Sequence, residues 1–291
     1  MKINQLLLGG TAVMFALSLS FTSCRKDNSG NQDTSGAEDN ALADKSFEDM
    51  GQISNEAANG KVGSFRLQNS DGLLSLCATV THDSVQKTIT VDFGSANCVC
   101  NDGRNRRGKI YISYTAGFHH LGYWDSLASI TITTSPTDDY YVNDHQVKGS
   151  KSVINNGHNA AGHMNWTVAV NGTIVKPNNS GSVIWTSNRN LEWLAGENTW
   201  FIWLDDVYGV TGSASGTSAK GVAFSVNITK QLIRKIVCPK HFTEGTFDFT
   251  PGSKPVRHVD FSYSQAPDPP GSCDDWASVT INGTTHYVQM K

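Results

Sequence analysis

Two apolar periods divide this chain. Phe47, Met50, Ile53 and Ala57 recur at spacings of three and four, which makes one apolar stripe on a helix. Ser46 stands as an N-cap with Asp49 three residues on, and Gly60 as a stop. The pattern predicts a short helix over residues 46–60 that covers one edge of a sheet. Across residues 61–291 the period becomes two. Alternation is clear at 88–93, 109–112, 129–132, 166–170, 222–228, 247–249, 259–263 and 279–281. Half-buried antiparallel strands read this way because successive side chains face opposite sides of the pleat. Asn171-Gly172 and Asn282-Gly283 lie between such runs and supply the positive φ angles of two-residue hairpin turns. The expected fold class is all-β.

Part of the pattern repeats. Asp138-Asp139-Tyr140-Tyr141 leads to Val147-Lys148-Gly149-Ser150, a Gly/Asn-rich turn and the strand at Trp166. Asp205-Asp206-Val207-Tyr208 leads to Val210-Thr211-Gly212-Ser213, another such turn and the strand at Phe224. Weaker copies open at Gly108-Lys109-Ile110 and Gly245-Thr246-Phe247. A recurring strand–turn–strand unit predicts an antiparallel meander of repeated hairpins; a β-sandwich is the alternative.

The other end of the chain has a different character. Lys2 precedes an apolar run from Leu6 to Leu19, the layout of a secretory signal over residues 1–23. Cys24 directly follows the small residues Thr22 and Ser23 and resembles the lipobox cysteine of bacterial lipoproteins, although Phe21 stands where those proteins usually carry leucine. That resemblance implies cleavage before Cys24 and lipid on its thiol. Lys26-Asp27 resembles the charged export signal of surface lipoproteins in Bacteroidetes-type bacteria. The stretch from Asp92-Phe93-Gly94 through Asn97-Cys98 to Arg107-Gly108-Lys109 is similar to uncharacterised β-rich envelope lipoproteins of the same kind, which carry no activity to transfer. Residues 24–45 are polar and acidic, and predict a lipidated cysteine on a disordered linker.

Charge and cysteine usage narrow the partners. A formal net charge of −3 points to no nucleic-acid partner. No later apolar run approaches the ~18 residues of a membrane helix, so the expected membrane contact is the N-terminal lipid. The expected location is the outer membrane or cell surface, facing periplasm or exterior. Five of the six cysteines follow Cys24. Export favours disulfides, and the expected pairs are Cys77 with Cys98 and Cys238 with Cys273, leaving Cys100 over.

Candidate chemistry is sparse. The chain has no G-x-S-x-G elbow, H-E-x-x-H helix or phosphate-binding glycine loop. Trp185, Trp193, Trp200 and Trp203 fall within one tract, with Arg189 and Glu192 among them. Such rings stack on sugars when exposed or fill a core when buried. On an unbroken strand Trp200 and Trp203 take opposite faces. Asp138-Asp139, Asp205-Asp206 and Asp274-Asp275 suit calcium loops or plain solvation. His119-His120 suits a metal or an exposed loop. Arg104, Arg106, Arg107 and Lys109 suit an anion or the domain's own carboxylates. No metal or cofactor is expected. The reading is a non-catalytic β binding or structural module in the cell envelope, with a glycan or an envelope protein as partner. The alternatives are a carbohydrate-binding module on the tryptophan tract and a divergent carboxylate-dependent hydrolase.

Overall fold

The computed structural model describes residues 34–59, 74, 78–115, 128–134, 139–199, 202–238, 242–263, 271–273 and 276–289. The signal, Cys24, Cys77, His119-His120, Asp138, Trp200 and Asp274-Asp275 lie outside that set.

Among the described residues one α-helix, α1 (Ser35–Asn59), is followed by sixteen strands. The first eight are β1 (Thr79–Asp83), β2 (Thr88–Asp92), β3 (Cys98–Val99), β4 (Asn105–Arg107), β5 (Lys109–Tyr114), β6 (Ser129–Thr133), β7 (Tyr140–Val142) and β8 (His145–His158). The rest are β9 (Met164–Val175), β10 (Ser182–Ala195), β11 (Val207–Thr217), β12 (Ala223–Lys235), β13 (Glu244–Pro251), β14 (Arg257–Asp260), β15 (Trp276–Ile281) and β16 (Thr284–Gln289). All pair antiparallel in one sheet of order β1-β2-β5-β6-β8 and onwards in sequence to β16, with β3, β4 and β7 as a side ribbon joined to β8. The meander is therefore the observed form among the described residues.

The helix begins eleven residues earlier than its apolar stripe predicts. Phe47, Met50, Ile53 and Ala57 are buried as expected. Ser46, however, lies mid-helix, where its hydroxyl donates to the Leu42 carbonyl, and Thr34 opens the first turn with its hydroxyl on Glu38. The polar residues that read as a solvated linker are partnered with the sheet. Asn40 accepts from the Trp185 indole at 2.9 Å. Asp39 accepts from the Ala219 amide at 2.7 Å and pairs with Lys176. Asp44 pairs with Arg189 at 2.8 Å. Among residues 34–58 only Glu38 and Asn55 are exposed. Composition alone suggests disorder here because it carries no information about partners.

Glycines fit the sheet to the helix. Asn171-Gly172 is not a turn: both lie inside β9, facing Ser150 and Gly149 of β8. A Cβ at Gly172 would stand 2.0 Å from the Phe47 ring, so this glycine serves close approach. The repeated Val-x-Gly-Ser segments also lie inside strands, where Gly149 (φ 130°) and Gly212 (φ 116°) each abut a carbonyl of the neighbouring strand. Gly108 and Gly245 of the weaker copies share the positive φ. The repeat is thus a recurring strand kink. Asn282-Gly283 is the expected hairpin turn, with φ of 49° and 78° closing β15 on β16.

The inner face, against α1, carries the main core, including Ile89, Ile110, Ile132, Val147, Ile174 and Trp185. The outer face carries two cross-strand rows over the six central strands β6 and β8–β12. One runs Thr131, Ser152, Ala169, Asn188, Ser213, Asn227; the next runs Thr133, Ser150, Asn171, Thr186, Ser215, Ser225. None of these twelve is buried. Cys238 and Cys273 are disulfide-bonded as expected. Cys98 is also in a disulfide, with its expected partner Cys77 outside the described residues, and Cys100 is a buried free thiol.

Candidate functional site

The tryptophan tract does not form a ligand surface in β10. Trp185 and Trp193 are each 1 % exposed. Trp185 stacks on Phe47, with ring centroids 5.9 Å apart. Arg189 lies 5.7 Å from the Trp185 ring and is held by Asp44. Trp193 donates to Asp206 at 3.1 Å and packs with Trp166 and Tyr208 in a second inner cluster beyond the helix. Even spacing already places 185, 189 and 193 on the face of Val183, which is core. β10 ends at Ala195 and Trp203 opens a separate 3-10 turn, Trp203–Asp205, so strand parity does not relate Trp200 to Trp203.

The basic segment is divided between interior and surface. Arg106 is fully buried and bridges Asp49 of α1 (2.6 Å) and Asp102 (2.7 Å). Arg104 reaches the same Asp49 at 3.1 Å, and the Tyr140 hydroxyl donates to Asp49 at 3.4 Å. Burial pushes the Tyr140 hydroxyl well up. Burial also acts to raise the Asp102 carboxyl, but hydrogen bonds and charge from Arg106, with help from Arg104, outweigh it and bring the group below its ordinary range. These residues clamp the helix to the β3–β4 ribbon.

Beside the clamp lies an open cleft of about 340 Å³ lined by Asp92, Gly94, Ser95, Arg107, Gly108, Lys109, Asp139 and Tyr141. The Arg107 guanidinium sits 3.9 Å over the Tyr141 ring and pairs with Asp144; Lys109 stands 3.6 Å from Asp92. Two cations, two carboxylates and a phenol line the cleft, so it favours neither a polyanion nor a cation.

A third group stands at the far end of the long strands, with Glu192 on the outer face by strand parity. Glu192 accepts from His163 (2.9 Å), Asn159 (2.6 Å) and Gln231 (2.9 Å), and His158 meets Glu197 at 2.6 Å. Partial burial acts against ionisation of Glu192, yet the three hydrogen bonds and the His163 charge bring its carboxyl below the ordinary range. Asp205 accepts from Thr199, Asp206 from Trp193 and Tyr208, and Asp139 from Tyr141. Among the described residues no group of three His, Cys, Asp or Glu side chains is placed to hold a metal.

The feature that sequence reasoning missed is the polar outer face. Its Asn and Gly residues read as turns, and the apolar partners that alternate with them are interrupted by Gly149, Lys151, Ser187 and Arg189. Pairing those segments as strands, with Val147, Val183 and Trp185 inward, would have exposed the row. No family model, curated protein or solved structure matches the chain.

Proposed function

We propose that the chain is a cell-envelope lipoprotein. Residues 1–23 direct export, Cys24 carries lipid, and the rest is a non-catalytic binding or structural module at the outer membrane or cell surface. Its partners are the membrane, through the lipid, and a glycan or an envelope protein.

The observation that supports this reading best is the seating of α1. The helix is part of the module's core from Ser35 onward, held by Asp39, Asp44, Glu48 and Asp49 on Lys176, Arg189, Lys151 and Arg106. Only residues 25–33 then separate the lipid from the fold, a covalent reach on the order of 35 Å. A module on so short a tether works close to the membrane surface, which suits a scaffold or surface binder. The interior charges act as fasteners between helix and sheet, and Glu192, drawn below its ordinary range, is not disposed to donate a proton as a general acid does.

Membrane fractionation tests the tether. Wild type sediments with membranes, and Cys24→Ser is released or persists as uncut precursor. Equal sedimentation of the mature-sized variant would refute the lipoprotein reading.

A further inference from the structure

We infer that the outer face of the central strands is a binding surface for a neutral, hydroxyl-rich polymer, a polysaccharide. This rests on the reading of the chain as a non-catalytic envelope module and names the partner class and the site. The observation is the pair of rows over β6 and β8–β12: eleven of twelve positions are Thr, Ser or Asn, Ala169 is the exception, and none is charged or large and apolar. The chain as a whole is 17 % Asp, Glu, Lys and Arg, so a face of twelve positions that needs only to be solvated would carry about two charges. Charges are available to this chain, and its inner face spends several on α1. The central outer rows carry none.

The chemistry of the rows selects the ligand. Hydroxyl and amide groups both donate and accept, so they match sugar hydroxyls without fixing a charge. Strand spacing repeats them every ~4.8 Å across the sheet, and the two rows stand ~6.7 Å apart along it. Thr186 and Ser215 share a hydrogen bond at 3.1 Å, so neighbouring side chains orient one another across strands. Each contact with a sugar competes with water and contributes only ~1 kcal/mol. A monosaccharide is therefore held weakly. A polymer that engages many positions at once gains by multivalency. The mean charge of zero also makes the interaction insensitive to salt.

The test is retention of the full-length chain, in detergent, on insoluble cellulose, chitin and mannan, with and without 1 M NaCl and with free monosaccharide as competitor. Retention on at least one polymer is expected, unchanged by salt and not displaced by monomer. Ser152→Lys with Asn188→Lys should lower it at least tenfold, and the milder Asn188→Asp should lower it measurably. These side chains face solvent, and thermal melts of each variant check that the fold is kept. Arg107→Ala, in the mixed-charge cleft, should retain binding. No retention of wild type on any polymer, equal retention of the row variants, or loss in Arg107→Ala alone would each overturn the proposal. The same preparations separate it from the tether: failed lipidation shows as release from membranes with retention intact.

Discussion

At the residue scale, contacts between helix and sheet decide more than local propensity. Gly172 has ordinary strand φ and is a glycine because the Phe47 ring occupies the space of a Cβ. Gly172→Ala should destabilise the fold by about 1–3 kcal/mol, the range for overpacking a filled core, read by chemical denaturation. The Asp49–Arg106–Asp102 clamp gives a signature in pH. Asp102 titrates below its ordinary value of 3.8 in the folded chain and Glu48 below 4.5, the latter through Lys151 first. A carboxyl with a depressed folded pKa contributes stability that is present above its unfolded pKa and lost as pH falls through the folded one. The melting temperature should therefore hold between about pH 5 and 7 with respect to these groups and fall below about pH 4. Glu48 is partly exposed and contributes less than Asp102. Arg106→Ala should lower the melting temperature at neutral pH and flatten the acid limb. An unchanged limb would remove the clamp from the account.

At the element scale, legibility follows the contrast between faces. Strands β2, β5, β6, β13 and β15 alternate buried apolar residues, mostly Ile, Val or Phe, with less buried ones, mostly polar, and their positions were readable directly. Strands β8, β10 and β11 were not. Their inner positions include Gly149, Lys151, Ser187, Arg189 and Gly212; Lys151 and Arg189 meet carboxylates of α1, and the two glycines abut a carbonyl of the neighbouring strand. A charged inner residue is sensible only beside its partner, and the partner lies more than a hundred residues away in α1. The same blindness hid the first eleven residues of the helix. Covalent links were easier: the Cys238–Cys273 pair closes a loop of 35 residues between β12 and the segment before β15. Replacing both cysteines by serine should cost ~2–4 kcal/mol, measured as a lower denaturation midpoint with an unchanged native spectrum. No change in midpoint would mean that the link adds nothing to the fold.

At the scale of the whole molecule, α1 joins the start of the described chain to the sheet. The sequence pattern separates a linker from a short edge helix, whereas the structure joins residues 35–45 of that linker to the edge helix as one largely buried helix across the inner face. The candidate ligand surface moves accordingly. Trp185 turns inward to receive the helix and Trp193 to fill the second inner cluster, and the polar rows of the opposite face become the candidate site. The account depends on α1 being as firmly part of the fold as the strands beneath it. Amide hydrogen exchange of the full-length chain tests this most directly. Amides of residues 39–57 should exchange as slowly as those of β8, β9 and β10, with no faster class before Ser46. Rapid exchange across residues 35–45 with the strands still protected would contradict the account and restore the long linker.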